Sequence, residues 1–410
     1  MRSGAVAVVA VVCALLGGSA ALVVGKATGW IDGDGTETVV VSATDGATPA
    51  ATRVDDANNA KPLPGNDFDP AAIYRTRAAG VVTIIALFGD HADSGDSGAA
   101  QGSGFVVSDE GYVLTNSHVV TTAGEGGPGE EPDAASQVFV EFRDGDRIPA
   151  RIVGWDVFDD VGLLKVDSDD HALSPVPLGD SSRVVVGEPV AAIGSPFGQM
   201  SSLAVGVVSA TERSIDSLTS RYDLVDAIQT DAPINRGNSG GPMFDARGLV
   251  IGINAQIRTE SGNAEGVGFA VPINSARRSM NQLIASGKVR YAWLGVETQT
   301  LTPRLAERFG YHVDHGAAVQ RVVDDSPAHD AGLRGGRAEQ EFAGIPFRPG
   351  GDVIVAVDGI GVETSEDLVR HVTERLRPGQ STELTVQRGR QQRVFEVILA
   401  ERPANPSEGR

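Results

Sequence analysis

The run Gly237–Pro242, with the sequence GNSGGP, limits more than any other feature what this 410-residue chain can fold into. Glycine tolerates the strained backbone of a tight turn, so such a turn can hold Ser239 exposed with neighbouring N–H groups aimed at one point. Acyl transfer requires that arrangement, namely a nucleophile and hydrogen-bond donors about 3 Å from the developing oxyanion. A glycine-rich hairpin loop without chemistry has the same composition. The hexapeptide therefore gives a candidate nucleophile whose meaning depends on the residues upstream.

A histidine and an acidic pair lie upstream of the serine in suitable settings. The strand-like segment Tyr112–Thr115 leads into a short turn that carries His118, and Asp159 and Asp160 stand directly before an apolar run. The chain order histidine, aspartate, serine is that of chymotrypsin-type enzymes and differs from the order in subtilisins and α/β-hydrolases. In that arrangement Ser239 attacks a carbonyl carbon, His118 takes its proton, and the aspartate fixes the imidazole tautomer.

The acidic pair offers two candidates for the third catalytic role. Asp160 lies nearest to the apolar run Val161–Leu164. Entry into a strand at that point would bury Asp160 beside the histidine. We therefore predict Asp160 as the catalytic aspartate and Asp159 as its solvated neighbour.

Composition argues against several other classes of protein. The formal net charge of −20 disfavours nucleic-acid binding, because the neutralisation of phosphates requires clustered lysine and arginine. The single cysteine, Cys13, excludes an intrachain disulfide and a multi-cysteine metal site. The sequence contains no HExxH, CxxC or P-loop spacing, so we predict no metal and no cofactor.

The N-terminal part of the chain predicts a membrane segment followed by a linker. Residues Ala5–Val24 carry no charge. At about 1.5 Å per residue this stretch is long enough to cross a bilayer as a helix. Residues 1–25 are therefore predicted as a short cytoplasmic end and an uncleaved anchor, with a cleavable signal ending near Ser19–Ala21 as the alternative. Residues 26–69 have few large apolar side chains and are predicted as a disordered linker. Either way the rest of the chain lies outside the cytoplasmic membrane, and it is secreted if the segment is cleaved.

Residues 70–288 carry short apolar runs separated by Gly, Asp and Pro turns, a pattern typical of β-barrels. Two barrels, with His118 and Asp160 on the first and Ser239 on the second, would place the three side chains in the cleft between them. Residues 291–402 predict a smaller α+β unit with a helix from Glu366 to about Leu376, capped by Ser365. The fold class is therefore mainly β, and residues 403–410 form a tail.

At this point the chain resembles the bacterial high-temperature-requirement (HtrA/Deg) proteases with one PDZ domain, over about Ala79 to Ala400. The motifs that carry the resemblance are GSGF at 102–105, TNSHVV at 115–120, GSPFG at 194–198, QTDAPIN at 229–235, GNSGGP at 237–242 and GVGFAVP at 266–272. The resemblance implies the triad His118, Asp160 and Ser239, and an oxyanion hole made by the backbone N–H groups of Gly237 and Ser239. It also implies a specificity pocket for small or medium apolar residues, built from Ile234, Asn254, Ala255, Gln256, Gly268 and Phe269.

The resemblance further implies that the second unit binds C-terminal peptides by strand addition. The carboxylate would be held by backbone N–H groups, and the groove would be lined by apolar helix residues: Trp293, Leu294, Gly295 and Val296 for the first role, and Leu368, Val369 and Val372 for the second. A unit that only spaces or assembles subunits is the alternative. The segment Arg334–Gly350 is longer than the usual connection, and this leaves the accessibility of the groove open.

The predicted function is a membrane-tethered serine endopeptidase that acts on unfolded or misfolded exported proteins, with control by the PDZ domain. A non-proteolytic chaperone or PDZ scaffold is one alternative, and a signalling protease with one membrane substrate is another. The family resemblance also implies a homotrimer. Asn238 cannot form the ion pair that an aspartate before the serine forms in many zymogens, so we expect control by loop ordering.

Overall fold

The computed structural model describes residues 68–89, 98–123, 131–195, 202–235, 237–255 and 266–404. The predicted anchor, almost all of the predicted linker, and Gln256 of the predicted pocket lie outside these residues. Within the part of the chain that is described, no helix has both the length and the apolar character needed to cross a membrane.

Six antiparallel strands close the first barrel in the order β1-β2-β3-β6-β5-β4. The strands are short because turns rich in Gly, Asp and Pro end them, and their inward side chains are apolar and buried. Their bounds are β1 (Val81–Phe88), β2 (Gly98–Val106), β3 (Tyr112–Thr115), β4 (Gln137–Glu141), β5 (Arg147–Asp156) and β6 (Val161–Val166).

The second barrel is closed in the order β10-β11-β12-β9-β8-β7. Sequence reasoning missed β10, because its three residues follow directly on the glycine-rich turn and show no alternation of their own. The bounds are β7 (Pro189–Gly194), β8 (Ser202–Ile215), β9 (Leu224–Thr230), β10 (Pro242–Phe244), β11 (Val250–Ala255) and β12 (Gly268–Pro272).

A shared apolar core fixes the two barrels against each other. Phe105 and Leu114 of the first barrel belong to the same buried cluster as Ile193, Phe244 and Ile253 of the second. Each such side chain contributes about 1.5–3 kcal/mol when it is fully buried. This packing holds the cleft between the barrels, where the candidate site lies.

Three α-helices and two 3₁₀ turns accompany the barrels in the described part of the chain. The helix α1 begins after Asp69, whose side chain accepts a hydrogen bond from the N–H of Ala72. The helix α3 packs on both barrels and ends at Ser286, where Gly287 caps it with a left-handed φ of 72°. The bounds are α1 (Pro70–Arg77), α2 (Ser117–Val120), α3 (Ile273–Ser286), and 3₁₀ turns at Ala78–Gly80 and Ser181–Arg183.

The second unit is an α+β fold built on one antiparallel sheet, in the order β14-β15-β18-β20-β21 with β19 paired to β18. Its first and last strands, β13 and β22, pair separately. The strands are β13 (Ala292–Trp293), β14 (Val296–Thr300), β15 (Ala317–Val322), β16 (Gln340–Phe342), β17 (Ile345–Phe347), β18 (Val353–Val357), β19 (Ile360–Gly361), β20 (Ser381–Arg388), β21 (Gln391–Ile398) and β22 (Ala400–Glu401); the helices are α4 (Pro303–Phe309), α5 (Pro327–Asp330) and α6 (Ser365–Arg375).

The structure corrects the predicted cap of α6 and shows the conformation of the long segment Arg334–Gly350. The cap of α6 is Thr364 and not Ser365: the Thr364 side chain accepts from the N–H of Asp367, whose carboxylate in turn accepts from the N–H of Thr364. This reciprocal capping box satisfies two donors, which a cap one residue later would not do. The long segment Arg334–Gly350 forms the β16–β17 hairpin, and Phe347 stacks on Phe309 of α4 at a centroid distance of 5.2 Å.

Candidate active site

The first half of the candidate site is a histidine–aspartate pair on the first barrel. His118 lies on α2, and its Nδ1 is 2.8 Å from Oδ2 of Asp160. The other carboxylate oxygen of Asp160 accepts from the backbone N–H of His118 at 3.1 Å and from the hydroxyl of Ser117 at 2.7 Å. The side chain of Asn116 donates to the backbone carbonyl of Asp160 at 2.7 Å. The tripeptide Asn-Ser-His therefore holds the aspartate as well as presenting the histidine.

The electrostatics of this pair favour a charged imidazole. Burial alone lowers the pKa of His118, but the charge of Asp160 and its hydrogen bond outweigh burial, so the pKa is raised above its ordinary value. Asp160 itself is buried and adopts a left-handed φ of 51°. That backbone conformation is uncommon for a residue with a side chain and persists only where the surroundings hold it.

The neighbouring carboxylate corrects one expectation from the sequence. Asp159 is not solvated: it is only 7% exposed. Its Oδ2 accepts from the hydroxyl of Tyr291 at 2.7 Å and from Nη2 of Arg278 at 3.1 Å. The sequence could not show this, because Arg278 and Tyr291 are more than a hundred residues away along the chain.

The second half of the site is the turn that carries Ser239 on the second barrel. Gly237 and Gly240 both have positive φ, at 97° and 86°. A Cβ on Gly240 would lie 2.1 Å from the carbonyl oxygen of Ser103 and 2.4 Å from Oγ1 of Thr115. Glycine is therefore required at this position for both its backbone and its close approach to the first barrel.

The hydroxyl of Ser239 is buried and has no hydrogen-bond partner among the described residues. The backbone N–H groups of Gly237 and Ser239 likewise donate to no other residue in the described ranges. Two donors and a nucleophile on one turn, next to a histidine–aspartate pair, can support acyl transfer. No group of three or more His, Cys, Asp or Glu side chains among the described residues could hold a metal ion.

The structure brings most of the predicted pocket residues together beside this turn. Ile234 packs against Gly268 so closely that a Cβ there would lie 2.6 Å from Cγ1 of the isoleucine. Ala255 of β11 is paired with Phe269 of β12. Asn254 accepts from the N–H of Gly240 through its backbone and is fully buried. We call Ile234, Ala255, Gly268 and Phe269 the apolar wall; its side chains are buried, and the backbone of Asn254 links β11 to the turn that carries Ser239.

The predicted peptide groove of the second unit lies between β14 and α6. The strand β14 forms one edge of its sheet, so a strand can be added there. Leu294, Leu368 and Val372 pack in one buried core, and Trp293 is buried beside it. One end of the groove is crossed by a contact of 2.6 Å between the hydroxyls of Thr298 and Ser365.

Comparison with known proteins agrees with this architecture. The Trypsin-like peptidase domain family matches residues 102–253, and the PDZ domain family matches residues 292–399. A probable periplasmic serine endoprotease, DegP-like, from Pseudomonas fulva (strain 12-X) is 40% identical over 304 residues, which are 74% of this chain and 56% of that protein. The solved structure of the HtrA-type protease AlgW with a tripeptide is 34% identical in sequence and has a TM-score of 0.66. The match spans 83% of this chain and 100% of the AlgW chain. The structure of AlgW with a decapeptide has a TM-score of 0.63.

This chain belongs to the HtrA family of trypsin-like serine proteases. It spans a little over half the length of the curated DegP-like relatives that it matches. It covers the full length of the AlgW chain, with one trypsin-like domain and one PDZ domain. The resemblance predicted from the sequence motifs is thereby confirmed.

Sequence reasoning missed Ser103, which joins the two barrels of this HtrA chain. Its hydroxyl donates to the carbonyl of Gly237 at 2.5 Å and accepts from the N–H of Ser195 at 2.8 Å. Its backbone N–H donates to the carbonyl of Ser239 at 2.8 Å. Ser103 lies in the motif GSGF, and a serine between two glycines in that motif could have indicated this role. Ser103 holds the nucleophile turn from the first barrel.

Proposed function

We propose that this chain is a serine endopeptidase that hydrolyses peptide bonds in unfolded or misfolded exported proteins, with Ser239, His118 and Asp160 as its triad. The observation that carries the proposal is the 2.8 Å contact between His118 Nδ1 and Asp160 Oδ2. Because Nδ1–H donates to the carboxylate, the lone pair of His118 lies on Nε2, where it can accept the proton of Ser239.

The chemistry then follows in two steps. Ser239 Oγ attacks the carbonyl carbon, His118 takes the proton, and the N–H groups of Gly237 and Ser239 stabilise the oxyanion. His118 passes its proton to the leaving amine, and an acyl-enzyme forms. Water then attacks the acyl carbon with His118 again as the base, and Ser239 is released. The unpartnered hydroxyl of Ser239 supports a serine–histidine bond that closes when substrate binds.

The apolar wall of Ile234, Ala255, Gly268 and Phe269 supports a preference for small or medium apolar residues before the cut. Such side chains are buried in folded proteins and become accessible in unfolded ones. Extended, unfolded segments are therefore the substrate class that this pocket fits.

The PDZ domain is proposed to bind C-terminal peptides along β14 and to regulate the protease domain. The edge position of β14 supports strand addition, and two solved structures of AlgW hold peptides. The β16–β17 hairpin packs on α4, which supports an open path to the groove. A peptide that occupies the whole groove has to separate the hydroxyls of Thr298 and Ser365.

A location outside the cytoplasmic membrane, with the N-terminal segment as a tether, completes the proposal. The charge-free stretch Ala5–Val24 supports a membrane anchor, and the DegP-like relatives are named as periplasmic. The assembly proposed from the family resemblance is a homotrimer. Fractionation of cells that express the full chain should place it in the membrane pellet, resistant to salt and released by detergent.

The function is tested by degradation of unfolded casein and by labelling with a fluorophosphonate, for the wild type and Ser239→Ala. Removal of the nucleophile should lower turnover on the order of 10⁶-fold and abolish labelling. Ser168→Ala, at an exposed serine, is the matched control and should behave as the wild type. Casein cleavage by Ser239→Ala at the wild-type rate would exclude the proposed mechanism and favour a scaffold or chaperone role for the fold.

A further inference from the structure

Both ends of the PDZ domain reach the loop that presents Asp160. Tyr291 directly precedes β13, and Arg402 directly follows β22, the strand with which β13 pairs. The backbone N–H of Arg402 donates to the carbonyl of Tyr291 at 2.9 Å. The first and last strands of the domain therefore deliver a tyrosine and an arginine to one point on the protease domain, the loop Asp156–Asp160.

The tyrosine joins two carboxylates of that loop. Its hydroxyl lies 2.6 Å from Oδ2 of Asp156 and 2.7 Å from Oδ2 of Asp159, and the residue is only 2% exposed. From α3, the hydroxyl of Ser279 donates to Oδ2 of Asp156 at 2.6 Å, and Arg278 donates to Asp159 at 3.1 Å. Hydrogen bonds in such a buried network strengthen one another.

The protons of this network can be counted. The hydroxyl of Tyr291 has one proton, so it cannot donate to both carboxylates. Both contacts become hydrogen bonds when Asp156 carries a proton, donates it to the tyrosine oxygen, and the tyrosine donates to Asp159. Burial, and next the charge of Asp159, raise the pKa of Asp156 to about 6. The hydroxyl is thus both the acceptor and the donor that links the two ends of the loop.

The loop itself is bent around Asp156. Its Oδ1 accepts from the N–H of Phe158 at 2.9 Å and from the N–H of Asp159 at 3.4 Å. Asp160 follows directly, in its left-handed conformation. A displacement of Asp156 or Asp159 therefore changes the backbone that aims the Asp160 carboxylate at His118.

The arginine contacts the same loop through its guanidinium. The guanidinium of Arg402 lies 5.2 Å from the ring of Phe158 and 4.8 Å from the rings of Tyr222 and Tyr291. Cation–π contacts of this kind are strongest when they are desolvated. Arg402 is thus held at a site made by the loop, by the segment before β9, and by the tyrosine.

We propose that Tyr291 and Arg402 are positioning residues for Asp160, so that the His118–Asp160 contact depends on how the two ends of the PDZ domain are seated on the loop. This inference rests on the proposed triad. It assigns to the junction of the two domains a direct part in the geometry of the catalytic aspartate, separate from the peptide groove between β14 and α6.

The test is Tyr291→Phe in the full chain, which removes the hydroxyl and keeps the ring. Tyr311→Phe is the matched control, because its hydroxyl accepts from the N–H of Gly350 at 2.9 Å within the PDZ domain, away from the loop. Rates on an extended peptide are measured from pH 5 to 9 and expressed per active site, counted by complete fluorophosphonate labelling. Wild type is assayed alongside, and Ser239→Ala, which cannot be labelled, is assayed at the same protein concentration.

For Tyr291→Phe we expect a kcat about tenfold lower than that of the wild type and a KM within about twofold. The acid limb of kcat/KM should move to lower pH, because a less firmly held Asp160 raises the pKa of His118 less. Arg402→Met should change kcat and the acid limb in the same directions. The double variant Tyr291→Phe/Asp156→Asn should recover at least about threefold in kcat above pH 6, where it removes the repulsion between an ionised Asp156 and Asp159. Tyr311→Phe should match the wild type.

Two results would overturn the inference while leaving the triad intact: a kcat of Tyr291→Phe within twofold of the wild type with Ser239→Ala inactive, or a lower kcat with an unmoved acid limb. Activity in Ser239→Ala would overturn the proposed function and this inference with it.

Discussion

The two halves of the candidate site differ in how completely their polar atoms are paired. On the first barrel, each side-chain oxygen of Asp160 has a donor, and so has its backbone carbonyl. Near them Oδ1 of Asn116 is buried without a partner in the described ranges, but no atom of the Asp160 carboxylate is. On the second barrel, the hydroxyl of Ser239 and the side-chain oxygens of Asn238 and Asn254 are buried without a partner in the described part of the chain. A buried polar atom without a partner costs about 1–3 kcal/mol. The acid–base half is therefore prepared before substrate arrives, whereas the nucleophile half has polar groups that substrate contacts can satisfy.

The difference follows from the elements that build each half. Asp160 directly precedes β6 and His118 lies on α2, and these two elements pack on each other within one barrel. Ser239 lies on a turn between β9 and β10 that is anchored to the other barrel through Ser103. A turn lacks the regular backbone hydrogen bonds of a strand, so its conformation depends on contacts with other parts of the protein.

The largest expected effect comes from disrupting the His118–Asp160 pair on the first barrel with Asp160→Asn. The amide cannot hold the imidazole in the required tautomer, so kcat should fall about 10⁴-fold. The acid limb of the pH profile should also move down, because Asp160 is the group that raises the pKa of His118. Asp144→Asn is the control, since it removes the carboxylate from the exposed pair with His171, at 3.0 Å. A loss smaller than tenfold in Asp160→Asn would contradict the assignment of the aspartate.

A smaller effect is expected from loosening the other half with Ser103→Ala. This variant removes the bond to the carbonyl of Gly237 and the bond from the N–H of Ser195, but keeps the backbone bond to Ser239. The loss of about 1–2 kcal/mol of positioning corresponds to a roughly tenfold lower kcat. Ser136→Ala, which also removes a hydroxyl bound to a backbone carbonyl, should leave kcat unchanged. Equal rates for the two variants would show that the turn does not depend on this link.

The smallest expected effect is on stability, and it tests whether Asp156 is protonated in the loop that carries Asp160. The pKa of Asp156 is about 6 in the folded chain against an ordinary value of 3.8, so the folded state binds this proton more tightly. The contribution of this proton to stability is therefore full only below about pH 3.8, is still large at pH 4, and is lost as the pH rises through 6. Asp156→Asn is neutral at every pH, so its free energy of unfolding relative to the wild type should rise by about 2 kcal/mol between pH 4 and pH 8. Denaturant unfolding at pH 4, 6 and 8 measures this, and a difference that is constant with pH would contradict it.

The sequence predicted the local elements well and the long-range polar contacts poorly. The strand at Tyr112–Thr115, the two successive barrels and the helix predicted from Glu366 to about Leu376 are present, the helix within one residue of its expected ends. Apolar periodicity and Gly, Asp and Pro turns act locally, so such elements are visible in the sequence. The three-residue strand β10 and the cap at Thr364 were missed. The interpretation of Asp159 as solvated was wrong, since its partners come from α3 and from the start of the PDZ domain.

By itself, the sequence determined the kinds of chemical group available and their order along the chain. Histidine, aspartate and a glycine-framed serine in that order, with two successive sets of short strands, point to one family and one reaction type. Only the tertiary structure decided which side chains meet: Ser103 with the turn that carries Ser239, and Tyr291 and Arg402 with the loop that carries Asp160. The physical reason is that periodicity and turn chemistry act over a few residues, whereas hydrogen bonds and buried charges depend on positions in space that the packing of the barrels and the PDZ domain creates.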